Sequence, residues 1–262
     1  MRRSVVFVLG LALASVLAAP LTAQEGEFTH VTWVTVKPGM TAEFEDYIKK
    51  IIAGAPKAND PRAVTAYSVA MGGPQRTYAF ARTFRKWAEL DADLTIPQIL
   101  GKAYGDVEGA KIYKMGSSAI ESSETRVSRT IPELSRSGPS GGAPAAYVFV
   151  VRTEVEPSMA RTYRKYLDKL KAAEDKHDPS PVTRRVSVLG DAQVWSSIRS
   201  FNKWAERDAL MSPGEAMNKA YGEAEAREIT DMAAGCIRNR TIYVLAHRPE
   251  LSRPGTAPTT ND

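Results

Sequence analysis

The stretch Phe84-Arg85-Lys86-Trp87-Ala88-Glu89-Leu90-Asp91-Ala92 returns 117 positions later as Phe201-Asn202-Lys203-Trp204-Ala205-Glu206-Arg207-Asp208-Ala209. Two more segments return at the same displacement. Lys102-Ala103-Tyr104-Gly105 comes back as Lys219-Ala220-Tyr221-Gly222, and Pro132-Glu133-Leu134-Ser135 as Pro249-Glu250-Leu251-Ser252. Upstream, Pro38-Gly39-Met40 matches Pro157-Ser158-Met159 at 119 positions, as expected if one loop differs by two residues. Three separated matches at one offset describe a tandem duplication, and a period this long means two whole domains rather than solenoid repeats.

Each copy reads as the same series of elements. Phe28 to Val36, and its counterpart Ala146 to Val155, are rich in β-branched and aromatic residues and predict strands. An apolar stripe at Phe44, Tyr47, Ile48 and Ile51 follows, matched by Tyr163, Tyr166, Leu167 and Leu170; this spacing predicts an amphipathic helix. Hairpins are expected around Gly72-Gly73-Pro74 and Gly190-Asp191. Thr83 and Ser200 are expected to cap short helices that start at Phe84 and Phe201. Thr95-Ile96-Pro97-Gln98 and Ser212-Pro213-Gly214-Glu215 fit the capping box and predict longer helices through Val107 and Ala224. Closing strands are placed at Thr125 to Ile131 and Arg240 to Ala246. The order β-α-β-β-α-β, twice, is an α+β chain of two tandem ferredoxin-like units. Apolar residues on both sides of a strand, Tyr147, Phe149 and Val151 on one and Val148 and Val150 on the other, leave no face for water. The two units are therefore expected to pack sheet to sheet, as a pseudo-dimeric α/β barrel with helices outside.

Residues 1–23 read as a secretory signal peptide: a basic start at Arg2 and Arg3, an apolar run from Val5 to Leu17, and an exit of small residues ending at Ala23. That run is shorter than a spanning helix needs, and no lipobox cysteine is present. The product is expected to be exported, periplasmic or extracellular, and not inserted in the membrane once the leader is cut. The first repeat is placed at 24–134, a Gly/Ser/Pro linker at 135–145, the second repeat at 146–249, and an unstructured tail at 250–262. A formal charge of +5 across 262 residues, with acids interspersed, argues against a nucleic-acid partner. One cysteine, Cys236, rules out an internal disulfide framework and a multi-cysteine metal site; it is expected to be buried and inert, or else a site for intermolecular pairing. No metal site and no glycine-rich phosphate loop following a strand is read, so no cofactor is expected.

Two such units, each carrying the aromatic helix pattern of Phe84 and Trp87 or Phe201 and Trp204, resemble the dimeric α/β-barrel superfamily, which includes antibiotic-biosynthesis-monooxygenase, EthD and NIPSNAP-type domains. The resemblance covers residues 28–131 and 146–247 and rests on topology and pattern rather than on a catalytic motif. It implies a barrel made here within one chain, a monomer with an internal pseudo-dimer. It further implies either a small ligand held between sheet and helices, or cofactor-free oxygenase or haem chemistry. Haem-binding branches use a histidine; His30 aligns with Phe149, His177 with Ala58 and His247 with Thr130, so none is placed alike in both copies.

Candidate site residues follow from recurrence and from asymmetry. Arg82 and Arg199 recur near the end of the third strand of each unit, on the same side as Tyr78 and Trp195, where guanidinium and ring would suit an anionic ligand or, alternatively, face solvent or a helix acid. Trp33, Tyr67 and His30 occur only in the first copy, and Trp195, Arg152 and Arg185 only in the second, as either one copy acquiring a pocket or plain drift would leave behind. Trp87, Trp204, Tyr104 and Tyr221 recur and are expected in the core. Glu43, Glu45 and Asp46 are expected to form a solvated helix face. The expected function is binding of a small, partly apolar molecule in the barrel or a helix–sheet cleft, or else simple scaffolding of association by the fold. The alternative is a cofactor-independent oxygenase acting on a small aromatic or polyketide-like substrate, with His30, Tyr67 or Arg82 converging on it.

Overall fold

The computed structural model describes residues 27–136, 144–178, 180–191 and 193–255. The expected signal segment, most of the expected linker and the end of the expected tail lie outside the described residues. The first half runs β1 (Phe28–Val36), α1 (Thr41–Gly54), β2 (Thr65–Met71), β3 (Thr77–Phe84), a 3-10 turn at Trp87–Leu90, α2 (Ile96–Tyr104), α3 (Asp106–Ser118) and β4 (Ile120–Thr130). The second half runs β5 (Tyr147–Val155), α4 (Ala160–His177), β6 (Thr183–Leu189), β7 (Val194–Phe201), α5 (Trp204–Asp208), α6 (Pro213–Tyr221), α7 (Glu223–Ala234) and β8 (Ile237–His247).

All eight strands close one antiparallel barrel in the order β1-β3-β2-β8-β5-β7-β6-β4. The two four-stranded sheets do not simply stack. Their edges pair, β2 with β8 (Tyr67 opposite His247) and β4 with β6 (Thr130 opposite Arg185). Unpaired edge amides are the reason: closure is what removes an edge altogether. Register repeats between halves, Trp33 pairing with Ala79 across β1 and β3 as Arg152 pairs with Ser196 across β5 and β7. Gly72 and Gly190 turn the β2–β3 and β6–β7 hairpins at positive φ, 75° and 94°, where each lies tight against a strand of the other half. A Cβ on Gly72 would sit 2.4 Å from the Ile242 carbonyl oxygen, and one on Gly190 would sit 2.7 Å from that of Thr125.

Helices cover the outside, and each half has its own core between helix and sheet. Phe44, Tyr47, Leu100 and Ile112 fill the first, and Tyr163, Leu167, Leu170, Met217 and Ile229 the second. A third apolar cluster, Ala79, Val148, Val150 and Leu245, lies inside the barrel. The two Pro-Glu-Leu-Ser segments tie the halves together. Leu134 is buried in the second half's core and Leu251 in the first's. Ser135 Oγ accepts a bond from the Arg184 amide at 2.9 Å, and Ser252 Oγ accepts one from the Ala66 amide at 2.9 Å.

Several local expectations need correcting. Residues 250–255 of the expected tail are built into the fold: Leu251 is buried, Arg253 pairs with Val64 in a bridge, and its guanidinium meets Asp60 at 3.0 Å. The first residues of the expected linker are tied down too, since Arg136 bridges to Val182 and donates to Asp175 at 3.0 Å. The helices that open at Thr95 and Ser212 break at Gly105 and Gly222, where φ is 82° and 79°, and restart as α3 and α7. Phe84 and Phe201 end strands, and the helical turns begin at Trp87 and Trp204. Thr83 and Ser200 therefore cap nothing; the Glu89 carboxylate accepts from the amides of Arg85 and Lys86 instead. Trp87 and Trp204 are not core residues but lie 42% and 41% exposed, their rings tilted or edge-on against Phe28 and Phe84 and against Tyr147 and Phe201.

Candidate functional site

Strand alternation divides the expected site residues. Trp33 and Tyr67 point into the barrel lumen. Tyr78 and His30 sit on the opposite, helix-covered side of the first half, and Trp195 and Arg199 on that of the second. Arg82 borders the lumen at a strand end but is drawn away by Asp93, to which its guanidinium binds. His30, Tyr67 and Arg82 thus do not converge on one point; His30 and Tyr67 lie on opposite faces of the sheet.

Two cavities result. One is the lumen, about 360 Å³. The other, about 300 Å³, lies between β5, β7 and the helices of the second half, walled by Phe149, Tyr163, Tyr166 and Leu170 with Arg199 and Arg207 among them. One position beside the second differs sharply between the halves. In the first half Phe80 projects toward the helices and packs on Phe44 and Tyr78, ring centroids 6.2 and 6.4 Å apart. At the matching place in β7 stands Ser197, so the second half keeps an open cleft. Arg207 lies over the Phe149 ring at 4.5 Å, and the Trp195 ring meets Tyr163 at 5.9 Å.

The polar end of this cleft is a buried network. Glu174, 1% exposed, accepts from Arg184 at 2.7 Å and from Arg199 at 3.0 Å, and Arg199 also reaches Asp178 at 2.7 Å. Burial pushes the Asp178 carboxyl up, but hydrogen bonds from Ser180 and Arg199 outweigh it and hold the group below its ordinary range. Burial pushes Tyr166 up to about 12 and raises Tyr163 as well, so both phenols stay protonated at neutral pH. His30 is lowered, first by burial and then by the neighbouring Arg82 charge. Glu45, expected in solvent, instead accepts from Tyr78 Oη at 2.6 Å and from Arg248 at 2.7 Å across the two halves.

Sequence reading missed Glu174, Arg184 and Asp178, because nothing in their spacing marks three charges that meet only after α4 packs on β6 and β7. The signal that was present is Ser197 in β7 at the place of Phe80 in β3, between strands that share the Arg-x-Phe end Arg82–Phe84 and Arg199–Phe201.

Haem, one expectation of the resemblance, needs an axial donor of histidine, cysteine, methionine-with-histidine or tyrosinate type. No histidine or cysteine lines the cleft among the described residues; its tyrosines stay neutral, and Met211 has no histidine beside it there. His30 belongs to the other half, and His247 sits at the end of β8, its ring tilted against that of Tyr67. The residues present do not fit the group. No cluster of three or more potential metal ligands occurs among the described residues.

A closed eight-stranded barrel of two four-stranded units wrapped in helices is the ferredoxin-like dimeric α/β barrel. No family model matches the sequence, and no curated protein matches it either. Among solved structures, an anthrone oxidase-like protein is similar at 13% identity and a TM-score of 0.51, over 89% of this chain and 97% of that one. A mutant chlorite dismutase from Candidatus Nitrospira defluvii is similar at 10% identity and a TM-score of 0.52, over 86% and 93%. A provisionally assigned monooxygenase from Fusobacterium nucleatum is similar at 8% identity and a TM-score of 0.53, over 88% and 96%. At these identities the likeness is one of fold.

Proposed function

We propose that the chain is an exported, tandemly duplicated relative of the antibiotic-biosynthesis-monooxygenase, EthD and NIPSNAP-type barrels, which binds a small, partly apolar molecule in the helix–sheet cleft of its second half. The carrying observation is the open space over Ser197, where the first half has the Phe80 ring. Aromatic walls from Phe149, Tyr163 and Tyr166 suit a flat apolar body, and the Arg207 and Arg199 end suits a hydrogen-bond acceptor. The matching cleft of the first half, filled by its own ring, is a structural remnant. On this reading the molecule is a monomer whose pseudo-dimer is internal.

The alternative is cofactor-independent oxygenation of an aromatic or polyketide-like substrate, which the anthrone oxidase-like neighbour brings to mind. That chemistry needs a base to deprotonate the substrate. Glu174 is held as an ion-pair partner by two guanidinium groups, and Tyr163 and Tyr166 are poor bases when protonated. This favours binding over turnover.

Native mass spectrometry of the protein recovered from its own compartment, with thermal-shift titration of 2-naphthol as an aromatic probe, tests the reading. A retained small molecule, or a naphthol-dependent rise in Tm that Ser197→Phe abolishes, supports it. Neither result in the wild type overturns it. Oxygen uptake with an anthrone, measured at an electrode, would establish the alternative.

A further inference from the structure

The lumen is separated from the cleft by the sheet itself, and its wall follows a rule. Three register-matched places are aromatic in one half and arginine in the other. Trp33, opposite Ala79, matches Arg152, opposite Ser196. Tyr67, also opposite Ala79, matches Arg185, opposite Ser196. Tyr243, opposite Val150, matches Arg126, opposite Val31. All six side chains line one cavity.

Two of the three guanidinium groups are ion-paired, although Arg126 Nε, like that of Arg185, makes no aligned hydrogen bond. Arg126 and Arg152 converge on Asp191 at 3.1 and 2.7 Å, and Arg126 also meets Glu124 at 2.5 Å. Arg185 makes no hydrogen bond or ion pair among the described residues, and its Nε is buried without an acceptor. The acid whose field reaches it is Glu27, exposed at the start of β1. Burial lowers its pKa, but an arginine does not give up its proton. An enclosed guanidinium with nothing to accept its donors is costly until an anion completes it.

We propose that the barrel lumen binds a small monocarboxylate with an aromatic or cyclic body, its carboxylate paired fork to fork with Arg185 and its ring held by Tyr67, Trp33 and Tyr243. Arg126 and Arg152 are paired with Asp191 and Glu124, and Arg185 has only the field of the exposed Glu27, so the charge left without a contact is single; a monoanion matches it and a doubly charged phosphate over-fills it. The planar fork of Arg185 matches a carboxylate in two parallel hydrogen bonds. Trp33 and Tyr243 stand edge to face at 5.6 Å, and Val148, Val150 and Leu245 close the apolar side. At ~30 Å³ per water, the cavity has room for roughly a dozen water volumes, enough for a ring and its carboxylate. This site does not depend on the cleft over Ser197.

The test uses the mature chain in calorimetric and thermal-shift titrations with benzoate, its neutral analogue benzamide and inorganic phosphate. Benzoate is expected to bind and to raise Tm, with benzamide and phosphate weaker by about tenfold or more. Arg185→Met is expected to lose benzoate affinity by about tenfold or more, while the unliganded variant melts no lower than wild type, since an orphan charge has been removed. Ser197→Phe is expected to leave benzoate binding intact, which separates failure here from failure of the cleft reading. Equal binding of benzamide, preference for phosphate, retained benzoate affinity in Arg185→Met, or no benzoate binding overturns the proposal. So does a destabilised or unfolded Arg185→Met, because that places an acceptor for this guanidinium within the chain.

Discussion

Phe80 and Ser197 occupy one and the same place in the two halves. Phe80 pairs with Thr32 across β1 and β3, and Ser197 with Val151 across β5 and β7, and both side chains point toward the helices. A ring fills the place in the first half where a hydroxymethyl group borders the open cleft of the second. Phe80→Ser is expected to destabilise the chain by about 3 kcal/mol through the cavity it leaves. Ser197→Phe is expected to cost far less or to stabilise, because space is already present. Chemical denaturation of both variants checks the pair, and equal losses would refute the assignment.

The Glu174 network predicts a response to acid. Asp178 has a folded pKa held below its unfolded value of ~3.9, so its contribution is present above that pH and fades as pH falls through the folded value. Arg199→Met removes one of the partners that hold it down. Acid unfolding followed by tryptophan fluorescence is expected to move to higher pH, with a loss of about 3 kcal/mol at neutral pH from the buried carboxylates left short of a partner. An unchanged midpoint would mean that Arg199 carries no part of the network.

His30 and His247 predict a second, milder slope. Both are lowered by burial, so between pH ~6.5 and their folded values the unfolded chain binds more protons than the folded one. Stability is therefore expected to fall as pH drops from about 7.5 to about 5. His30→Asn is expected to flatten that decline. A profile that rises on acidification over the same interval would contradict both assignments.

Cys236 is fully buried, its thiol donates to the Met232 carbonyl oxygen at 3.2 Å, and burial raises its pKa. Little thiolate is available, so a chromogenic disulfide reagent is expected to react only on unfolding, with a rate that tracks denaturant. Labelling of the native protein at the rate of a free thiol would refute this.

What the sequence made legible was whatever is local. Thr95 and Gln98 do form a reciprocal cap, and the Ser212 hydroxyl does accept from the Glu215 amide at 3.1 Å. The α1 stripe of Phe44 and Tyr47 is buried as its spacing requires. The hidden features depend on phase and on distance. Period-two strands with apolar residues on both faces do not reveal which parity faces the lumen, so Trp33 and Tyr67 could not be told apart from Tyr78 and Arg82 as to side. Asymmetry between copies singled out six residues, of which Trp33, Tyr67, Arg152 and Arg185 line one cavity while His30 and Trp195 lie on the helix side; of the recurrent pair, Arg82 borders that cavity and Arg199 the cleft, each bound to an acid. Glu45 looked solvated because its partner Arg248 is 203 residues away. The Pro-Glu-Leu-Ser repeat was visible, but its work on the opposite half was not, since that contact exists only in the closed barrel.

That exchange of leucines has an evolutionary corollary. Leu134 completes the interior of the half it does not belong to, and Leu251 returns the favour, so neither unit owns all of its own filling. A loosening substitution in one is felt by the other, and the pair should melt in a single step. Chemical identity is the freedom left over: the two units can drift apart in what lines their cavities while remaining bound to a common fate in stability.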